Sequence, residues 1–151
     1  MPNGRTHTKA SLIAAPIIGA AFLFSGYPTS ISAAATAGTL VGVLIGPDLD
    51  VDAGNYSLYI LRRTPLIGRP LAWLWRFLWW PYSKLAAHRG FSHWPVIGTI
   101  GRLLYIAVIL VIPAAIIDVR FFVSPLVAEL APVFITGLAA SDLLHIVMDA
   151  L

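Results

Sequence analysis

An all-α fold is the class this sequence predicts: an integral membrane helical bundle of about four spans plus an interfacial Trp-rich helix. Three observations predict it. Apolar residues make up 58% of the chain and charged residues only 11%, where a soluble domain carries about 25% charged residues. The apolar residues fall in blocks approaching the roughly 20 residues that a helix needs to cross a hydrocarbon core. Between those blocks lies an aromatic run, Trp73, Trp75, Phe77, Trp79, Trp80 and Tyr82, set among Arg and Lys, which is the composition that a membrane interface selects. All 151 residues are expected to form a single membrane-embedded helical domain, 1–151.

The first apolar segment runs from about Ala10 to Phe24, interrupted by Pro16, and ends in the turn-like Ser25-Gly26-Tyr27-Pro28. Arg5 and Lys9 ahead of it give this region the outline of a signal peptide. It is nevertheless expected to stay with the protein, because His7 has a use further along the argument. The second segment, about Ser30 to Gly46, has Thr29 or Ser30 as a candidate cap. It is rich in Ala, Gly, Ser and Thr, which suits close packing against neighbouring helices rather than lipid on all sides. From Pro47 to Pro95 the chain turns polar, with three aspartates and six Lys or Arg. Within that stretch Leu71 to Leu85 reads as a helix in the interface. Two further spans follow, about Val96 to Ile117 and about Ser124 to the end, joined by Asp118-Val119-Arg120.

The charges set the orientation. Arg5 and Lys9 flank the first segment, and Arg62, Arg63, Arg69, Arg76, Lys84 and Arg89 fill the central loop, whereas the opposite turns carry a single Arg. By the preference of Lys and Arg for the cytoplasmic side, both termini and the central loop are expected in the cytoplasm of a bacterial inner membrane. Arg102, early in the third span, is expected to snorkel to the same face. The net charge of +3 is thereby explained by orientation, and no nucleic-acid partner is expected. With no cysteine in the chain, disulfides and thiolate metal sites are excluded, and any metal must be held by nitrogen and oxygen.

This topology sends all four histidines and five of the seven acidic residues to one end of the bundle. His7 precedes the first span. Asp48, Asp50 and Asp52 follow the second, and they face the same way if that segment is extended. His88 and His93 precede the third span, and a turn at Gly90 would let both converge with Arg89 beside them. Asp142, His145 and Asp149 share one face of the last helix at spacings of three and four, and ionisable groups inside a span are costly enough to point at a partner or a function. Each motif has a plainer reading on its own: a His–Asp pair that ties helices together, a solvated loop, or interfacial histidines beside the Trp belt. Independent accidents would scatter across both membrane faces, so the joint placement favours a metal site. The candidate ligands are His7, Asp48, Asp50, His88, His93, His145 and Asp149.

The start Met1-Pro2-Asn3-Gly4-Arg5-Thr6-His7, the Gly46-Pro47-Asp48-Leu49-Asp50 after an apolar segment, the His88-Arg89-Gly90-Phe91-Ser92-His93 and the terminal His145-x-x-x-Asp149 resemble two related groups. One is the bacterial LexA-regulated, membrane-bound metal-dependent hydrolases, and the other a cyanobacterial family of metal-binding membrane proteins. The resemblance covers essentially the whole chain in order, and it implies a divalent site built from these His and Asp positions with hydrolase activity. Zinc-dependent phospholipase C enzymes are similar in using an N-terminal His, an Asp and an HxxxD helix, which makes a phosphoester the implied substrate.

The expected function is therefore a metal-dependent hydrolase acting on a phosphoester, a lipid headgroup among the candidates, at the cytoplasmic membrane face. Zinc is the first choice of metal, with manganese or iron also compatible with the donors. Asp50 would act as a bridging ligand or base, and Arg89 would stabilise charge developing on the substrate. The rival expectation is a metal-binding scaffold or accessory subunit of a larger membrane complex. The lipid bilayer is the first partner, and a second membrane protein or a further copy of the chain is compatible with the composition. An ion transporter ranks last, because the opposite half of the spans has almost no polar residues.

Overall fold

The computed structural model describes residues 4–52, 55–86, 90–94, 96–116 and 124–150. Among the described residues every regular element is helical. Helix α1 spans Gly4–Phe24, starting six residues ahead of the apolar pattern, so that the basic segment with His7 is itself helical. Its buried residues, His7, Ser11, Ala15 and Gly19, recur every four positions and form one small, partly polar stripe that faces the bundle. Gly26, at a φ of 85°, turns the chain.

Helix α2, Thr29–Val41, starts directly at Thr29 after Pro28 and has no side-chain cap. Its 13 residues reach about 20 Å, short of the roughly 30 Å of a hydrocarbon core. Among the described residues, three helical stretches are long and apolar enough to cross a membrane, namely Gly4–Phe24, Ile97–Ile116 and Pro125–Asp149, and α2, one of the four expected spans, is a shorter apolar helix. Sequence reading overestimated α2 because the Gly42–Gly46 stretch is apolar yet leaves the helix as turns.

A 3-10 turn at Pro47–Asp50 follows, so the condition under which its aspartates would face one way, an extended segment, is not met. Helix α3, Tyr56–Arg62, is capped by Asn55, whose side chain accepts from the Leu58 N–H at 3.0 Å, a contact worth about 1 kcal/mol. Helix α4, Gly68–Leu85, includes the expected Leu71–Leu85 helix. It buries Ala72, Trp79 and Tyr82 and leaves Trp73, Leu74, Phe77 and Trp80 exposed. Trp79 and Tyr82 pack with Leu49 of the 3-10 turn, so the aspartate-bearing segment is seated on α4.

After a second 3-10 turn, Phe91–His93, helix α5 covers Ile97–Ile106 and continues through a π-helical turn, Ala107–Val111, into α6, Ile112–Ile116. Pro113 explains the widened turn: it has no N–H, and its ring would crowd the Ile109 carbonyl in a regular helix. Tyr105 on α5 donates its hydroxyl to the Leu78 carbonyl at 2.5 Å, fastening this helix to α4. Helix α7, Pro125–Asp149, is capped by Ser124, which accepts from the Val127 N–H at 3.3 Å.

Three helices make the core of the bundle. A Cβ placed on Gly38 of α2 would lie 2.0 Å from the Phe134 carbonyl oxygen, and one on Gly137 of α7 would lie 2.1 Å from that of Ala35, so these two backbones touch in a way that only glycine permits. Ser32 on α2 donates to the Gly19 carbonyl of α1 at 2.6 Å. The hydroxyls of Ser11 on α1 and Ser141 on α7 are 2.8 Å apart. These pairings run α1 antiparallel to both α2 and α7. They therefore bring the start of α1, the end of α2 and the end of α7 to one end of the bundle, where the two 3-10 turns also lie.

Candidate metal centre

Five of the candidate ligands meet at that end. From α1, His7 places Nε2 3.1 Å from Oδ1 of Asp149 on α7. One turn before Asp149, His145 places its own Nε2 3.5 Å from Asp149 Oδ2 and 3.4 Å from Asp48 Oδ1. His93, from the second 3-10 turn, has Nε2 3.7 Å from the same Asp48 oxygen. The rings of His7 and His145 stack with centroids 4.0 Å apart, and His93 stands edge-on to His145 at 5.9 Å. Two overlapping sets of donors result, His7/His145/Asp149 and Asp48/His93/His145, each with its ligand atoms within 4.8 Å of one another. His145 belongs to both.

Simple geometry tests whether these donors suit a metal. Tetrahedral Zn–N and Zn–O bonds of about 2.1 Å put neighbouring ligand atoms about 3.4 Å apart. The separations of 3.1, 3.4, 3.5 and 3.7 Å bracket that edge, and three of the four are too long for a good N–H···O hydrogen bond. Imidazole and carboxylate are also the donors that divalent first-row ions accept from a protein without thiols. The residues present therefore fit a divalent ion.

Asp50 stands apart from this set. Its side chain is fully buried, and its Oδ2 lies 3.4 Å from His93 Nδ1, the nitrogen on the far side of the ring from Asp48. Asp48 and Asp50 thus hold opposite edges of one imidazole because they sit on a 3-10 turn. Their contacts push the His93 pKa up to about 9: the proximity of Asp48 contributes most and that of Asp50 next, against the opposing effect of burial. Burial works to raise the Asp48 carboxyl, but the nearby His145 and His93 rings outweigh that and hold it well below the usual carboxylate range. Asp52 points elsewhere, into a two-pronged pair with Arg76 at 3.0 and 3.1 Å, which lowers its pKa. His88 and Arg89, the remaining candidate ligand and the candidate charge stabiliser, lie outside the described residues, as does the Asp118 turn.

A separate ion pair underlies the cluster, and sequence reasoning misjudged it. Arg102 does not snorkel; it is completely buried and its guanidinium pairs with Asp142, which also accepts from the Thr99 hydroxyl. Asp142 is accordingly held by two side chains of α5. The signal was available as a basic residue in one span and an acidic residue in another. Arg102 also donates to the Ser92 carbonyl at 3.2 Å, and the Ser92 hydroxyl donates to the Pro47 carbonyl at 2.8 Å. Through these bonds the residue before His93 and the residue before Asp48 are tied to one buried anchor. Val96, which leads from this turn into α5, holds a φ of 66°, a strained conformation for a β-branched residue.

A pocket opens on the cluster from the α1 side, reaching His7, Asp48 and His145 and walled by Ser11, Tyr56 and Ser141. About 30 Å³ of it is open to the centres of water molecules, room for one or two of them. The arrangement is thus five metal-competent donors from four chain segments, with a small wet opening beside three of them.

Comparison with known families returns one finding. The family model described as Uncharacterized metal-binding protein (DUF2227) matches residues 2–151. No curated protein and no solved structure matches the chain.

Proposed function

Since the chain belongs to this family of metal-binding proteins, we propose that its His/Asp cluster holds a divalent ion with which the protein hydrolyses a phosphoester at a membrane face. The observation that carries the metal site is the position of His145. A single imidazole nitrogen has one lone pair, so the Nε2 shared by both donor sets serves one ion, with His7 and Asp149 on one side or Asp48 and His93 on the other as its further ligands. Zinc suits this mixed nitrogen and oxygen set, and manganese or iron accept the same donors.

A bound divalent ion would lower the pKa of a coordinated water to about 7 and polarise a phosphoryl oxygen. The chain's own residues do the rest. Asp50 lies behind the His93 ring, with Oδ2 3.4 Å from Nδ1, where a carboxylate would favour the proton on Nδ1 and leave Nε2 with its lone pair toward Asp48 and the cluster, as an outer carboxylate does behind a ligating histidine. Arg102 holds the His93 turn in place through the Ser92 carbonyl. The pocket beside His7, Asp48 and His145 admits water, and its polar wall is where a phosphoryl group would approach. Arg89 is the proposed cation for the charge that develops there. The basic residues at this end, Arg5, Lys9 and those of α3 and α4, support its placement at the cytoplasmic face of a bacterial inner membrane.

Elemental analysis of detergent-purified protein, combined with assays of phosphoester and phospholipid headgroup release, tests the proposal. Stoichiometric metal that is lost in His145→Ala, with hydrolysis lost in parallel, is the expected result. A second reading has an observation of its own. The donors come from α1, α7 and both 3-10 turns, so an ion would also brace the bundle as a non-catalytic scaffold or as an accessory subunit of a membrane complex. Full metal occupancy, a large fall in thermal stability on chelation and no turnover of any phosphoester would decide for that reading. Absence of metal from protein purified in metal-replete buffer would remove both.

A further inference from the structure

The α3–α4 hairpin, residues 56–85, carries five basic residues, Arg62, Arg63, Arg69, Arg76 and Lys84, and no acidic one. Three of these cations are occupied. Arg63 lies over the Tyr59 ring at 4.4 Å, Lys84 lies over Trp80 at 6.0 Å, and Arg76 is paired with Asp52. Arg62 and Arg69 have no ion-pair or hydrogen-bond partner among the described residues. Both line a surface cleft of about 370 Å³ with Ala72, Trp73 and Arg76, a size in the range of ligand pockets. The cleft exists because Gly68 lets α4 start against the last carbonyls of α3: a Cβ there would lie 2.6 Å from the Arg62 carbonyl oxygen. That contact brings Arg62 beside Arg69.

The same face continues as an apolar platform. Positions 69, 73, 76, 77 and 80 share one side of α4 by helical spacing, and Trp73 and Phe77 are each 67% exposed with their rings stacked 5.7 Å apart. Leu66 and Ile67, at the turn that precedes α4, are also exposed. Two free guanidiniums at one end of a bare Trp and Phe surface match, in sign and in depth, a phosphate in the headgroup layer with acyl chain beside it. Arg forks pair with phosphate oxygens two at a time, and exposed aromatic rings settle at the boundary between headgroup and chain. We propose that the α3–α4 cleft is a binding site for the phosphate headgroup of an anionic phospholipid, distinct from the His/Asp cluster, and that it seats α4 on the lipid leaflet at this end of the bundle.

The test compares lipid retention by the full-length protein, using native mass spectrometry after exchange into mixed micelles of phosphatidylglycerol and phosphatidylcholine. Wild-type protein is expected to keep phosphatidylglycerol in preference, and the preference should weaken as salt rises. Arg62→Gln with Arg69→Gln should reduce it about 10- to 30-fold, as expected for two surface cations on an anionic leaflet, whereas Arg62→Lys with Arg69→Lys should keep part of it. Metal content, read on the same samples, should not change in either double variant, which separates this site from the metal reading and reports that the variants are folded. Equal retention of the two lipids by the wild type, an unchanged preference in the glutamine variant, or inorganic phosphate bound as tightly as the lipid would overturn the proposal.

Discussion

Two groups of charged residues lie at the same end of the bundle, and they solve the same problem differently. In the first, Asp142 is neutralised by the Arg102 guanidinium and the Thr99 hydroxyl in a fully buried, closed unit. In the second, the carboxylates of Asp48 and Asp149 are met, among the described residues, by imidazoles, and a pocket large enough for water opens on the cluster. Buried charge needs a countercharge. The first group carries its own in the form of a side chain, whereas the second, among the described residues, gains one when histidines are protonated or a cation enters. The chemical difference between a structural ion pair and a ligand site is therefore whether the positive charge is built into the chain.

The largest effect that would separate the two groups is expected at His145. Because its Nε2 serves both donor sets, His145→Ala should abolish stoichiometric metal, while His7→Ala, which touches one set, should leave weakened binding; isothermal titration or elemental analysis of both variants measures the difference. Equal loss in the two would mean that His145 is not the shared ligand. Arg102→Ala should act on the other group. Removing one partner of a buried pair costs about 3–5 kcal/mol, so its thermal unfolding in detergent should shift strongly even in metal-free protein. Replacing both partners, Arg102→Met with Asp142→Leu, should restore much of that stability, as apolar pairs of similar volume often do. If the double replacement also leaves metal affinity intact, the bond from Arg102 to the Ser92 carbonyl has no positioning role.

Much of this was legible in the sequence, and the misses have physical causes. The one-sided placement of His7, Asp48, His93, His145 and Asp149 follows from counting helices and charges, because antiparallel packing returns every second boundary to the same face. The helical start at Gly4 changes nothing in that argument, and neither does the shortness of α2, since both move an end without moving it to the other face. What could not be read was which carboxylate faces what. Asp48 and Asp50 differ by two positions, and on a strand they would have pointed alike; the Pro47 turn instead sends one toward the cluster and the other behind His93. Arg102 was misplaced because snorkelling depends on depth alone, whereas pairing with Asp142 depends on which helix α5 packs against. Sequence spacing records the first and not the second.

A smaller effect is expected from Asp50. It touches His93 from behind, and loss of an outer carboxylate typically costs 10–100-fold in metal affinity. Asp50→Asn should therefore weaken metal binding by that factor without abolishing it, measured by competition with a chromophoric chelator. A loss as complete as that in His145→Ala would place Asp50 among the ligands themselves.

The mildest way to sharpen the contrast is pH. In metal-free protein the His93 pKa is raised to about 9 by Asp48 and Asp50, above the ordinary histidine value of about 6.5. A raised folded pKa means that the protonated imidazole stabilises the fold. That contribution is complete below about pH 6.5 and disappears as pH climbs through about 9. A metal ion needs the deprotonated nitrogen, so it competes with this proton: its apparent affinity should rise with pH up to about 9, and proton release should accompany binding at neutral pH. Thermal melts at pH 6 and pH 9.5 should then show a loss of stability at the higher pH in metal-free protein that added metal suppresses. A metal-free melt that is flat between these two values would mean that the His93 proton does not provide the countercharge, and the distinction between a built-in cation and an exchangeable one would lose its support.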